Sequence, residues 1–381
     1  MISSRLTSSK SRVTGHGSRV RGQRLSPGAK LVTCHLSPVT CFLLLGNLLL
    51  FFAGCAGPEL RTLNSGLQTP DPAPAWPPPP QTPRIQYVRS IAGPADIGIK
   101  KTWLKRAFDT LMGKEDREER ILRPYGVFAG NERIYVTDPG AHLLHVFDAK
   151  EGRYFQIREA KKEELASPIG VAVDKKGETY LSDSVLNGVF VFDKEGKYLR
   201  EIGSPQVFVR PAGIALDEER IYVVDTHGHR VLVFSKQNGE LISRFGKQGN
   251  GKGDFNYPTN IFIRNGLLYI TDSMNFRVQI FGKDGSFLSA FGRPGDGSGD
   301  FSKPKGIAVD SEGHIYVSDA HFDAVQIFDR EGRLLLSFGN TGRRTGQMSL
   351  PAGVFIDEKD LVYVADSYNN RVQVFQYLKE K

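Results

Sequence analysis

Cysteine is nearly absent, and its three occurrences, Cys34, Cys41 and Cys55, all fall in the first 55 residues. Residues 56–381 therefore hold neither a disulfide nor a thiolate metal site. Acidic residues are missing from the same opening stretch, which carries Arg5, Lys10, Arg12, Arg19, Arg21, Arg24 and Lys30. Of 50 basic and 42 acidic residues, seven basic and no acidic ones lie there, leaving 43 against 42 beyond it, a net charge of +1. The excess of positive charge belongs to the opening segment and gives no ground for a nucleic-acid partner. The apolar run at residues 41–52 is too short for a comfortable membrane span. No phosphate loop, heptad repeat or Ser-His-Asp order is present.

What is abundant is repetition. Asp138, Asp183, Asp225, Asp272, Asp319 and Asp366 recur at intervals of 45, 42, 47, 47 and 47 residues. Each closes an Ile/Val/Tyr-rich run: IYVTD, TYLSD, IYVVD, LYITD, IYVSD, VYVAD. Nine residues later a phenylalanine ends a second apolar run, at Phe147, Phe192, Phe234, Phe281, Phe328 and Phe375. Upstream stands a proline with glycine or asparagine two places on: Pro124, Pro168, Pro211, Pro258, Pro304 and Pro351. Residues 304–339 contain four short alternating runs separated by Gly/Asp turns, the pattern of a four-stranded antiparallel meander. One such sheet has two apolar faces and cannot bury both alone, whereas six around an axis can. The expected fold is all-β, a six-bladed β-propeller with blades starting at 124, 168, 211, 258, 304 and 351. The last blade lacks an outer strand, and residues 84–93 (RIQYVRSIAG) match the outer-strand pattern. They are expected to close the ring, so that the propeller spans 84–381.

The stretches from Asp272 (DSMNFRVQIF) and Asp366 (DSYNNRVQVF), with the connectors at 253–258 and 299–304, resemble the NHL-repeat family of six-bladed propellers. That family includes binding modules and enzymes, so the resemblance implies a fold and leaves function open.

The opening segment resembles a bacterial lipoprotein signal over residues 1–54: a basic region, a short apolar run, then small residues before Cys55, although Phe52 stands where leucine is usual. The resemblance implies a lipid on Cys55, membrane attachment, and a place in the bacterial cell envelope. Ala56, which is not aspartate, implies the outer membrane, facing the periplasm. Residues 56–83 hold nine prolines and are expected, with Cys55, to form a stiff tether. Residues 99–114 have Trp103, Leu104, Ala107, Phe108, Leu111 and Met112 at helical spacing, and a short inserted helix docked on the propeller is expected.

Loops after the second strand of each blade share a face with the inter-blade connectors, around the channel mouth. That face offers His142, His227, His229, Asn275, His321, Tyr368 and Asn369 as candidate binding residues. We expect a binding or scaffold module for a protein, peptide or glycan, with no cofactor and no nucleic acid. An alternative is a metal-dependent lyase or hydrolase in which His142, His227 and His321, from alternate blades, hold zinc with an open position. This would resemble the family's peptidyl-hydroxyglycine lyase, although counterparts to that enzyme's catalytic tyrosine and arginine are missing. The glycine-rich connectors at 247–254 and 293–300 superficially suggest calcium or phosphate but read as inter-blade turns. The six repeat aspartates read as framework, accepting backbone N–H groups and pairing with Arg230, Arg277 or Arg371 five residues on.

Overall fold

In the computed structural model, residues 73–100, 119–203 and 206–379 are described. They form five four-stranded antiparallel sheets and one five-stranded sheet, the six blades of a propeller. In blade five the strands are Pro304–Val309, Ile315–Asp319, Ala324–Phe328 and Leu334–Phe338, in sequential order. The first strand of each blade lines the channel.

Packing follows the repeat. Six hydrophobic clusters fill the six gaps between neighbouring blades; for example, Tyr180, Val189, Ile214, Val223 and Phe234 join blades two and three. All six repeat phenylalanines are at most 1% exposed. Close approach at the axis is set by small residues: a Cβ on Gly170 would stand 2.2 Å from the carbonyl oxygen of Ala212 in the next blade. Hydroxyls stitch the same level. Thr137 Oγ1 donates to the Ile169 carbonyl at 2.8 Å, Ser182 to Ala212 at 2.6 Å, and Ser273 to Pro304 at 2.7 Å. Ser318 donates to Ala352, and Ser367 donates to Pro124 of blade one at 2.6 Å.

The sixth blade is completed from the other end of the chain. Strand Ile85–Ile91 pairs antiparallel with Arg371–Tyr377, so the edge of the last blade is covered. Ile85 and Ile91 are fully buried. The seam between blades six and one contains Ile91, Val372 and Val374 from one side and Val127, Val136 and Phe147 from the other.

The proline-rich tether ends earlier than its composition suggests. Strand Ala75–Trp76 adds a fifth strand outside Ile85–Ile91. The Trp76 ring sits 5.9 Å from Phe338 and 5.8 Å from Phe375, across the gap between blades five and six. One large aromatic among the prolines has enough apolar area to dock, which the prolines lack. The signal segment, Cys55 and nearly all of the 99–114 helix lie outside the described residues.

Candidate binding site at the channel mouth

The repeat aspartates organise the mouth face from below. All six are fully buried. Their main backbone donors lie in the connector that leads into the same blade, about sixteen residues upstream, with further donors in the following loop. Asp138 accepts from Leu122 and Arg123 (2.6 and 3.0 Å), Asp225 from Val209 and Arg210 (3.0 and 2.7 Å), and Asp319 from Ser302 and Lys303 (2.8 and 3.0 Å). Arg230, Arg277 and Arg371 each give an Nε–H to the aspartate five residues earlier, at 2.8–3.0 Å. This is scaffold: it holds the residues before each ring proline at the edge of the channel.

The candidate side chains divide into two groups. Asn275 Nδ2 donates to the Gly249 carbonyl and to Asp272, both at 2.8 Å, and Asn369 does the same to Gly342 and Asp366. Both are loop braces. His229 is buried, and its Nδ1 accepts from the Tyr257 N–H at 3.2 Å. Its ring and that of exposed His227 flank Tyr257, with centroids 4.7 and 5.3 Å away. Desolvation and then the Arg210 charge hold His227 below the usual histidine range. His142 is exposed, with Nδ1 2.6 Å from the Ala166 carbonyl. His321 is exposed beside Phe322. Tyr368 is 55% exposed, and the Arg123 guanidinium lies over its ring at 5.3 Å.

The alternate-blade histidines do not converge. Among the described residues no three His, Cys, Asp or Glu side chains are placed to hold a metal ion. Alternation around a ring fixes the angle of each side chain about the axis but leaves it on its own loop, and His142 is already bonded to a neighbouring carbonyl.

Two features escaped the sequence reading. The first is the innermost ring of the mouth, one residue either side of each ring proline: Arg123, Ser167, Arg210, Tyr257, Lys303 and Leu350, then Tyr125, Ile169, Ala212, Thr259, Lys305 and Ala352. Four of these twelve are cationic and none is acidic. Lys305 Nζ lies 5.5 Å from the centroid of the Tyr125 ring, joining blades five and one over Ala352, which is fully buried. Burial pushes the Tyr125 hydroxyl above its ordinary pKa, partly offset by Arg210. Burial and then Lys303 push Lys305 below the ordinary lysine range. Beneath Tyr125 the channel widens into a cavity of about 840 Å³, lined by Phe128, Ile169, Ile261, Phe262 and Phe355 among others. The second feature is His145, fully buried, with Nε2 3.3 Å from Asp138 and Nδ1 2.7 Å from the Tyr154 hydroxyl. It stands seven residues after its aspartate, where Gln279 and Gln373 bond Asp272 and Asp366 at 3.0 Å in their own blades. The shared offset of seven was the signal available in sequence.

A model described as a 6-bladed beta-propeller matches residues 206–266 and 256–337, and an NHL-repeat model matches residues 348–375. The described residues form a six-bladed β-propeller, with an NHL repeat in its last blade. Among curated proteins it is 32% identical over 136 residues to Protein brain tumor of Drosophila melanogaster, covering 34% of this chain and 13% of that protein. It is 29% identical over 154 residues to a probable peptidyl-alpha-hydroxyglycine alpha-amidating lyase of Caenorhabditis elegans, covering 36% of this chain and 41% of that one. The propeller thus spans less than half the length of either relative. Among solved structures, a streptogramin B lyase superposes with a TM-score of 0.52 at 15% identity, covering 68% of this chain and 94% of that one. An auxiliary nutrient binding protein from Bacteroides thetaiotaomicron gives 0.53 at 11%, covering 68% and 71%. At those identities the likeness is one of fold alone.

Proposed function

We propose that this propeller is a binding module that engages a protein, peptide or glycan at its channel-mouth face, carried on the cell-envelope membrane by a lipid on Cys55. The observation that supports it is the composition of the mouth. Exposed aromatic and imidazole groups (Tyr257, Tyr368, His227) stand beside Arg123, Arg210 and Lys303 on a rigid ring, and among the described residues these cations form no ion pair and no metal ligands are gathered. Tyrosine and arginine on a preorganised frame lose little entropy on binding, which suits recognition. One similar protein carries a lyase name, and the side chains here favour binding over that chemistry.

The test is photo-crosslinking in the native envelope. A photoreactive residue replacing Tyr368 should capture a discrete partner, and the capture should drop at least tenfold when Arg123 and Arg210 are both changed to Glu. The same probe replacing Leu288 on an outer strand should capture nothing comparable. Equal capture from the two positions, or capture indifferent to the charge reversal, would overturn the reading.

A further inference from the structure

Lys305 presents an electrostatic problem within the described residues. It stands beside Gly306 on the first strand of blade five, at a level where neighbouring first strands approach so closely that a Cβ on Gly353 would meet the Tyr125 carbonyl at 2.5 Å. Its ammonium rests on the Tyr125 ring, and the charge acting on it is a second cation, Lys303. No ion pair joins Lys305 to any described carboxylate, whereas Lys236 and Lys283 pair with Asp174 and Asp217 at 3.2 and 2.8 Å. A partly buried cation without an anion is costly, because the field of the ammonium is poorly screened there. Ordinary framework economy would place an acid beside it, yet the ring offers Ser167, Tyr257, Leu350, Ile169, Ala212, Thr259 and Ala352.

We propose that the neck of the channel is a carboxylate site, in which the C-terminal carboxylate of a peptide replaces the Tyr125 ring as the partner of Lys305. This deepens the mouth-binding reading and rests on it. Two observations converge on a peptide end. Among the described residues one ammonium, that of Lys305, stands at this level, which matches one singly charged group. The ring around it is mostly apolar (Ile169, Ala212 and Ala352), and Tyr125 and Ile169 also line the cavity of about 840 Å³, beside Phe128, Phe262 and Phe355. A terminal aliphatic side chain could therefore pass Tyr125 into that cavity while its carboxylate stays at Lys305. Arg210 and Lys303 above would steer the anion inward.

Calorimetry with the purified full chain tests this. The probes are acetyl-Gly-Gly-Leu as free acid and as amide, glucuronic acid, and inorganic phosphate. The free acid should bind at least tenfold more tightly than the amide, glucuronic acid and phosphate. Lys305→Met and Lys305→Gln should both abolish that preference while melting like the unmodified protein. Lys305→Arg should retain part of it, which separates charge from folding. Equal affinity for acid and amide, or a preference that survives Lys305→Met, overturns the site. Tighter binding of glucuronic acid or phosphate overturns the peptide assignment. If no probe binds at millimolar concentration, the neck proposal fails, while the mouth reading still stands or falls on the crosslinking and charge-reversal result.

Discussion

Truncation from the N-terminus separates three layers of stabilisation. Removing residues 1–72 takes away none of the described residues and gives the reference melting curve. Removing residues 1–82 also takes away Trp76, whose ring packs on Phe338 and Phe375. It removes as well the backbone bonds from Arg84 N–H to the Trp76 carbonyl (2.6 Å) and from Tyr87 N–H to the Pro74 carbonyl (2.9 Å). Half-burial of a tryptophan hides about 100 Å² of apolar surface, worth about 2.5 kcal/mol at about 25 cal/mol per Å². At about 2 °C per kcal/mol for a domain of this size, the melting temperature should fall by about 5 °C. Removing residues 1–93 also deletes Ile85 and Ile91, both fully buried, at about 2 kcal/mol each, and exposes the edge of Arg371–Tyr377. The cumulative loss of about 6 to 7 kcal/mol is an upper value, since unfolded chains already bury some surface. It is still comparable with the whole stability of a domain, about 5–15 kcal/mol. This truncation should therefore aggregate or lose cooperative unfolding. The assay is differential scanning calorimetry of the three proteins side by side. Identical transitions for the 1–72 and 1–82 truncations would refute the docking of Trp76, and a cooperative 1–93 truncation would refute closure of the sixth blade by the N-terminal strand.

Asp272→Ala should destabilise by about 3–5 kcal/mol in urea unfolding, because it leaves the Arg277 guanidinium and the Gln279 amide without their shared carboxylate. Burial holds His145 below its ordinary pKa of about 6.5, so the unfolded chain binds the extra proton first and His145 erodes stability as pH falls below about 6.5. Asp310 raises His314, whose contribution has the opposite sign: present below about 6.5 and lost as pH rises through the folded value. His145→Gln, the residue at three equivalent positions, should therefore gain stability relative to the unmodified protein between pH 7.5 and pH 5, read from urea midpoints; an unchanged slope would refute the assignment. Cys55→Ser should abolish palmitate labelling and release the protein from the membrane fraction. Metal analysis of the purified propeller should find no stoichiometric zinc that is lost on His321→Ala, and finding such zinc would restore the lyase alternative.

The architecture was legible in the residues because a blade is a local object. Period-2 alternation, turn glycines and an aspartate every 42 to 47 residues all act within one sheet, and six copies leave ring closure as the natural way to bury both faces. The outer-strand pattern of 84–93 could be recognised for the same reason. What tertiary structure alone decided is what happens between blades. Proline-rich composition marked residues 56–83 as tether, yet one tryptophan among them found a gap between two aromatic rings that no local rule foretells. The histidines were visible as alternate-blade residues, but spacing along the chain gives angle about the axis and not distance from it, so convergence could be judged only in three dimensions. Tyr125 and Lys305 are 180 residues apart and meet because the ring brings blades five and one within reach over a small Ala352. That contact, and the anion it invites, belongs to the curvature of the closed ring rather than to any repeat within it.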